Sequence, residues 1–218
     1  MTDLTIVLGN KNYSSWSLRP WLALKQTGAA FKEIVIPLDQ SQTRESILRH
    51  SPSGKVPALI HDGRTVWESL AICEYLAELY PAAGLWPADR TARAHARAVA
   101  SEMHGGFAPL RQHLPVIVRR QYPPRELPAD VQENVNRMQA IWQDCRKHFG
   151  AGGPFLFGSF TNADAMYAPV VTRFHTYQIG LTEGAADYVK AMRAWPAMQE
   201  WAEAARNEPW IHSKYEPD

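Results

Sequence analysis

Asn12-Tyr13-Ser14-Ser15-Trp16-Ser17-Leu18-Arg19 follows the apolar run Leu4-Thr5-Ile6-Val7-Leu8 and opens a segment in which Leu18, Trp21, Leu22 and Lys25 mark successive turns before Gly28. The pattern predicts a buried strand, a serine-rich turn and a helix from Trp16 to Thr27: serines favour helix starts, and glycine stops a helix. Working outward, Phe31–Ile36 reads as a second strand and Ser41–Arg49 as a short, weakly patterned helix or turn. Val56–Ile60 and Thr65–Trp67 read as two short strands joined through His61-Asp62-Gly63-Arg64, where Asp-Gly is a hairpin signal. Ser69–Tyr80 then sets Leu70, Cys73, Leu76 and Tyr80 along one side of a helix. The order βαβ-α-ββα predicts a mixed sheet covered by helices.

Pro81-Ala82-Ala83-Gly84-Leu85-Trp86-Pro87 breaks the pattern and reads as a linker; everything beyond it is helical in character. Thr91–Ala108 is alanine-rich and reads as one helix. Val131, Val135, Met138, Trp142, Cys145 and Phe149 recur every three or four residues, a buried stripe. Thr161 stands three residues before Asp164, an aspartate variant of the capping box, and Pro196 fits the first position of a helix whose apolar face is Met198, Trp201, Ala202 and Ala205.

The chain has 218 residues, enough for one large domain or two modest ones, and its 45% hydrophobic content supports a real core. A formal net charge of +1 gives no electrostatic argument for nucleic acid or an anionic membrane. Trp195, Trp201 and Trp210 sit at packing positions with no basic stripe between them, against a base-stacking platform. No apolar run is long enough to cross a bilayer, and the first residues lack a secretory pattern, so the expected location is cytoplasmic. Cys73 and Cys145 lie far apart on apolar helix faces, which predicts buried free thiols with neither a disulfide framework nor metal-ligand spacing.

Ser14-Ser15, Val56-Pro57 and Glu68-Ser69, in that order, resemble the glutathione transferase superfamily, and the first loop is similar to the zeta class, where the stretch reads Ser-Ser-Cys-Ser. Trp16 stands here in place of that cysteine. The resemblance implies the glutathione transferase fold: an α/β thioredoxin-like domain over residues 1–80 that binds glutathione, a linker at 81–89, and an all-α domain over 90–218. It makes Ser14, with Ser15 beside it, the catalytic pair whose hydroxyl steadies a thiolate, a charged form that also gains from a helix N-terminus. Tyr13 is a rival donor. A mixed disulfide with the protein, open to a cysteine at position 16, is closed to tryptophan.

On the same resemblance Val56-Pro57 is a cis bond presenting main chain to the cofactor, Lys55 faces its glycyl carboxylate, and Trp16 walls the site. Glu68 takes the γ-glutamyl ammonium, and Ser69, capping the next helix, takes the carboxylate. The second substrate, a small electrophile, is expected between the domains beside His104 and Arg111, with Gln112 and Arg173 as further polar candidates and Phe174, His175 and Tyr177 as an aromatic wall. Family members commonly pair as symmetric homodimers. Conjugation, cis-trans isomerisation by addition and elimination of the thiolate, and a non-catalytic binding or regulatory role all remain open on this fold.

Overall fold

A computed structural model describes residues 3–216. The first half runs β1 (Leu4–Gly9), α1 (Ser15–Thr27), β2 (Lys32–Ile36), α2 (Thr43–Leu48), β3 (Ala58–His61), β4 (Arg64–Trp67) and α3 (Ser69–Leu79). The strands order as β2-β1-β3-β4, with β1 and β2 parallel and the other two pairings antiparallel. Alternation along β1 divides the core by face. Leu4, Ile6 and Leu8 join Trp21, Leu22, Ile72 and Leu76 on the side of α1 and α3, while Val7 joins Ile36, Ala58 and Ile47 of α2 on the other. The β3–β4 turn puts Asp62 at φ 48° and Gly63 at φ 77°, the positive pair that a two-residue hairpin of right-handed twist needs. Gly28 ends α1 at φ 70°, as read from the sequence.

A short 3₁₀ turn at Pro81–Ala83 leads to six further helices: α4 (Arg90–Gly105), α5 (Ala108–His113), α6 (Ala129–Phe149), α7 (Asn162–Thr176), α8 (Glu183–Ala194) and α9 (Pro196–Arg206). The single helix expected over Thr91–Ala108 stops early. Gly106 is extended and Phe107 takes φ 60°, so the chain turns and restarts as α5 with Pro109 in its first turn. The capping box of α7 forms, its Thr161 N–H donating to the Asp164 carboxylate at 2.8 Å.

α7 is the buried centre of the helical half and packs on both α1 and α4. One hydrophobic cluster therefore runs through both halves. The Asn162 amide donates to the Cys73 carbonyl (3.0 Å), and the Trp201 indole donates to the Lys11 carbonyl (2.9 Å). Cys73 and Cys145 are buried free thiols, and burial pushes both up to about 12. Among the described residues no helix is long and apolar enough to cross a membrane, and no three His, Cys, Asp or Glu side chains gather as a metal site.

Candidate functional site

The end of β1 and the start of α1 are knotted together by serines. Ser14 is the N-cap of α1, its Oγ accepting the Ser17 N–H at 3.3 Å. The Ser14 hydroxyl donates to Ser17 Oγ at 2.8 Å, and Ser17 Oγ also accepts the Gly9 N–H at 3.0 Å. Ser15 begins the helix proper, and its hydroxyl has no protein partner among the described residues. A cavity of about 460 Å³ opens over this corner, lined by Ser14, Ser15, Trp16, Lys55, Val56 and Arg111 among others. A second, of about 420 Å³, adjoins it and is lined by Trp16, Lys55, Val56, Pro57, Trp67 and Glu68. Trp16, Lys55 and Val56 border both, so the indole stands where the two meet. The Val56–Pro57 bond is cis, as expected.

The start of α3 differs from expectation. The N-cap of α3 is Glu68, not Ser69: Glu68 takes φ 80°, and its Oε2 accepts the Leu70 N–H at 3.1 Å. A carboxylate there satisfies an otherwise orphaned donor and complements the helix dipole. Ser69 is buried beneath it, its hydroxyl donating to Glu68 Oε1 at 3.4 Å, and it lines neither cavity. Tyr13, the rival donor, has its phenol committed elsewhere. It donates to the Glu216 carboxylate and accepts from Arg119 (2.8 Å) and from the His212 N–H (3.1 Å).

His104 lines neither cavity but stands behind them, its Nε2 3.5 Å from Glu68 Oε2 and its ring edge-on to Trp16 at 5.3 Å. Arg111 lines the larger cavity, donating to the Gly106 carbonyl, and Arg173 lines it too, its Nε donating to the Leu114 carbonyl at 2.7 Å. The expected aromatic wall is not there. Phe174 packs into the core against Trp142, and His175 turns to a different cavity, where its Nε2 lies 3.1 Å from an Arg193 nitrogen. Tyr177 lines yet another, and Gln112 is exposed. Tyr13, His212 and Tyr215 supply the aromatic side instead.

Sequence reasoning missed two parts of the site. One is Arg19, a turn along α1 from Ser15, fully buried, its guanidinium 4.2 Å from the Trp16 ring. None of its three guanidinium nitrogens has a hydrogen-bond partner among the described residues. Burial, with Arg173 and Arg111 nearby, pulls it down to about 9, and burial pulls Arg173 to about 10 and Arg111 downward. Three crowded cations leave this corner positive: among the described residues Arg19 meets the Trp16 face and makes no ion pair. A serine–arginine spacing of four was the available signal.

The other is the segment after α9. Glu208 accepts the Lys11 and Asn12 N–H groups (2.7 and 2.9 Å), and Glu216 is buried against Arg119 (2.7 Å), Arg120 (2.5 Å) and Tyr13. Burial alone would raise the Glu216 carboxyl; the bonds from Arg119, Tyr13 and Arg120 outweigh it and hold the group at about 2. This strap carries His212 and Tyr215 onto the cavity.

Residues 13–79 match the glutathione S-transferase N-terminal domain family and residues 128–204 its C-terminal domain family. A probable maleylacetoacetate isomerase of Caenorhabditis elegans is 38% identical over 96 residues, 44% of each chain, so the chain spans under half the length of that relative. The maleylacetoacetate isomerase of Rattus norvegicus is 30% identical over 175 residues, covering 77% of this chain and 76% of its own. Among solved structures, a Burkholderia glutathione transferase homolog with bound glutathione superposes with a TM-score of 0.71 at 26% identity, over 94% of this chain and all of that one. In sequence and in topology the chain belongs to the glutathione S-transferase family.

Proposed function

We propose that the protein is a glutathione-dependent transferase in which the Ser14 hydroxyl donates a hydrogen bond to the glutathione thiolate. The observation that carries this is the placement of Ser14 Oγ, at the N-cap of α1 and on the wall of the larger cavity. It already takes the Ser17 N–H, and a rotation of two hydroxyls lets Ser17 Oγ donate to it as well, leaving the Ser14 proton as the one group it has to offer. An oxygen accepting two bonds is a stronger donor. The Trp16 backbone N–H, which has no acceptor among the described residues, and the Arg19 and Arg111 cations beside the Trp16 ring favour negative charge at the same place.

The residues present fit glutathione. Glu68 offers a carboxylate to its ammonium, the start of α3 offers N–H groups to the carboxylate beside it, and Lys55 is free to meet the other end. When bound, glutathione supplies the nucleophilic sulfur. The chain's own residues then hold that sulfur ionised, align it along Val56, and present the second substrate from the Arg111 and Arg173 side. Those two cations favour a small electrophile that carries negative charge, and the isomerase relatives support extending the reaction to reversible thiolate addition across a conjugated bond. A non-catalytic scaffold with the same fold is the alternative.

Turnover of an activated aryl halide by Ser14→Ala and Ser15→Ala, with glutathione affinity by calorimetry, separates the readings. Loss of one bond to a charged group, ~1.5–3 kcal/mol, lowers the Ser14→Ala rate about ten- to a hundredfold with affinity nearly unchanged. A silent Ser14→Ala beside a damaged Ser15→Ala moves the role by one residue, and a wild-type protein that binds no glutathione is the scaffold.

A further inference from the structure

Trp16 follows the N-cap Ser14 at the start of α1, half-buried, on the wall that the two adjoining cavities share. Three side chains gather at its ring. The Arg19 guanidinium lies 4.2 Å from the ring centroid and that of Arg111 5.8 Å, while the His104 ring meets it edge-on at 5.3 Å. Arg19 is fully buried and its guanidinium nitrogens have no hydrogen-bond partner, so among the described residues the indole is the group that meets its charge.

The indole N–H is placed unlike its counterparts. Trp21 donates to Glu33 (2.6 Å), Trp86 to Glu74 (2.9 Å) and Trp201 to the Lys11 carbonyl (2.9 Å). Trp16 donates to no described residue, and its nitrogen is not sealed from solvent as that of Trp142 is. A cation over the ring draws π density toward itself and makes the N–H a stronger donor. A polarised donor without an acceptor, on the wall of a cavity, suits an oxygen that gains negative charge during reaction. Tyr13 cannot take that part, because its phenol is committed to Glu216.

We propose that Trp16 is a catalytic residue for additions to a conjugated carbonyl compound, its indole N–H donating to the carbonyl oxygen of the second substrate. The role rests on the glutathione reading above. As the glutathione sulfur bonds to the β-carbon, the C=C pair shifts toward the carbonyl carbon and the C=O π pair moves onto oxygen, giving an enolate. Trp16 holds that charge. Reversal expels the thiolate, after rotation about the former double bond, as the geometric isomer; proton transfer from water to the α-carbon instead leaves the adduct. Ser14, Trp16, Arg111 and Arg173 line one cavity, so the sulfur, the enolate oxygen and a substrate carboxylate each have a partner.

Two probes isolate the step. Benzalacetone collects charge on its carbonyl oxygen as sulfur adds, whereas benzyl chloride has no carbonyl and passes its charge to the departing chloride. Trp16→Phe keeps an aromatic ring and removes the N–H; it is expected to lower the ratio of kcat for benzalacetone to kcat for benzyl chloride by about tenfold or more. Arg19→Met keeps the N–H and removes the charge over the ring; above the pH at which the thiolate is fully formed, it is expected to lower the same ratio about threefold. Thermal unfolding verifies that each variant is folded, and Arg19→Met decides if Trp16→Phe is not. The inference is overturned if folded Trp16→Phe leaves the ratio within about twofold of wild type, if it slows both probes equally, or if Ser15→Ala lowers the ratio and Trp16→Phe does not. Failure of the glutathione reading looks different: wild type then binds no glutathione and turns over neither probe.

Discussion

Replacing Glu216 by glutamine keeps the side chain's shape and one carbonyl acceptor but removes the charge that Arg119, Arg120 and Tyr13 converge on. The carboxyl lies at about 2 against an ordinary 4.5, a depression worth roughly 3 kcal/mol. Its side chain is only 4% exposed, so solvent screening takes little from that figure. Because the folded group titrates below the unfolded one, this stabilisation is complete above pH 4.5 and is lost as the pH falls through 2. The bonds tie the strap to Tyr13 and to the segment before α6, so their loss opens the strap before it unfolds the domain. Amide exchange at His212, whose N–H donates to the Tyr13 hydroxyl, reports that opening. Glu216→Gln is expected to speed exchange there about a hundredfold at pH 7, and to abolish the extra acceleration that wild type shows between pH 4.5 and 2 after correction for intrinsic rate. Exchange at His212 within threefold of wild type at pH 7 would refute the clasp.

Arg19→Met exchanges an unpaired buried cation for an apolar chain of similar length, so denaturant unfolding is expected to show stability unchanged or raised by up to about 4 kcal/mol; a drop above 1 kcal/mol would show that the guanidinium has a partner. The same variant is expected to raise the pH at which bound glutathione gains thiolate absorbance in the ultraviolet, and an unmoved titration removes Arg19 from the electrostatics of the site. Ser17→Ala takes one acceptor from Gly9 and one potential donor from Ser14, and is expected to lower aryl-halide turnover less than Ser14→Ala does; an effect larger than that of Ser14→Ala contradicts the order of the relay. A symmetric dimer is expected, given Trp67 at 46% exposure and the small exposed residues Ala94, Ala98 and Ser101 along α4. Sedimentation equilibrium that stays at one chain's mass into the high micromolar range would exclude it.

What was legible in the sequence was whatever a local period or a local cap encodes. Alternation in Leu4–Leu8, the stop at Gly28, the hairpin at Asp62-Gly63 and the capping box at Thr161 depend on neighbours within a few positions, and all four stand in the structure. The α3 cap was misplaced because serine outranks glutamate at helix starts only for ordinary backbone angles, and Glu68 at φ 80° lies outside them. Ser14, Trp16, Lys55, Val56, Arg111 and Glu68, singled out from the helix starts and from the resemblance, all line the two adjoining cavities. The strap went unseen because the groups that claim the Tyr13 phenol lie between 106 and 203 positions away, separations that no periodicity records.

That separation bears on the order in which the protein is made. Asn12 and Glu216 are hydrogen-bonded across 204 positions. On a ribosome the sheet and α1 emerge ahead of α7, which covers α1. Until α7 arrives, the nascent thioredoxin-like half exposes Arg19 to water, where an unpaired cation is comfortable, and the helical half then seals it in. Closure of the cavity wall by His212 and Tyr215 comes later still. Domains tend to fold as units in chain order, yet here the thioredoxin-like half carries one side of a cavity whose other side arrives with the segment after α9.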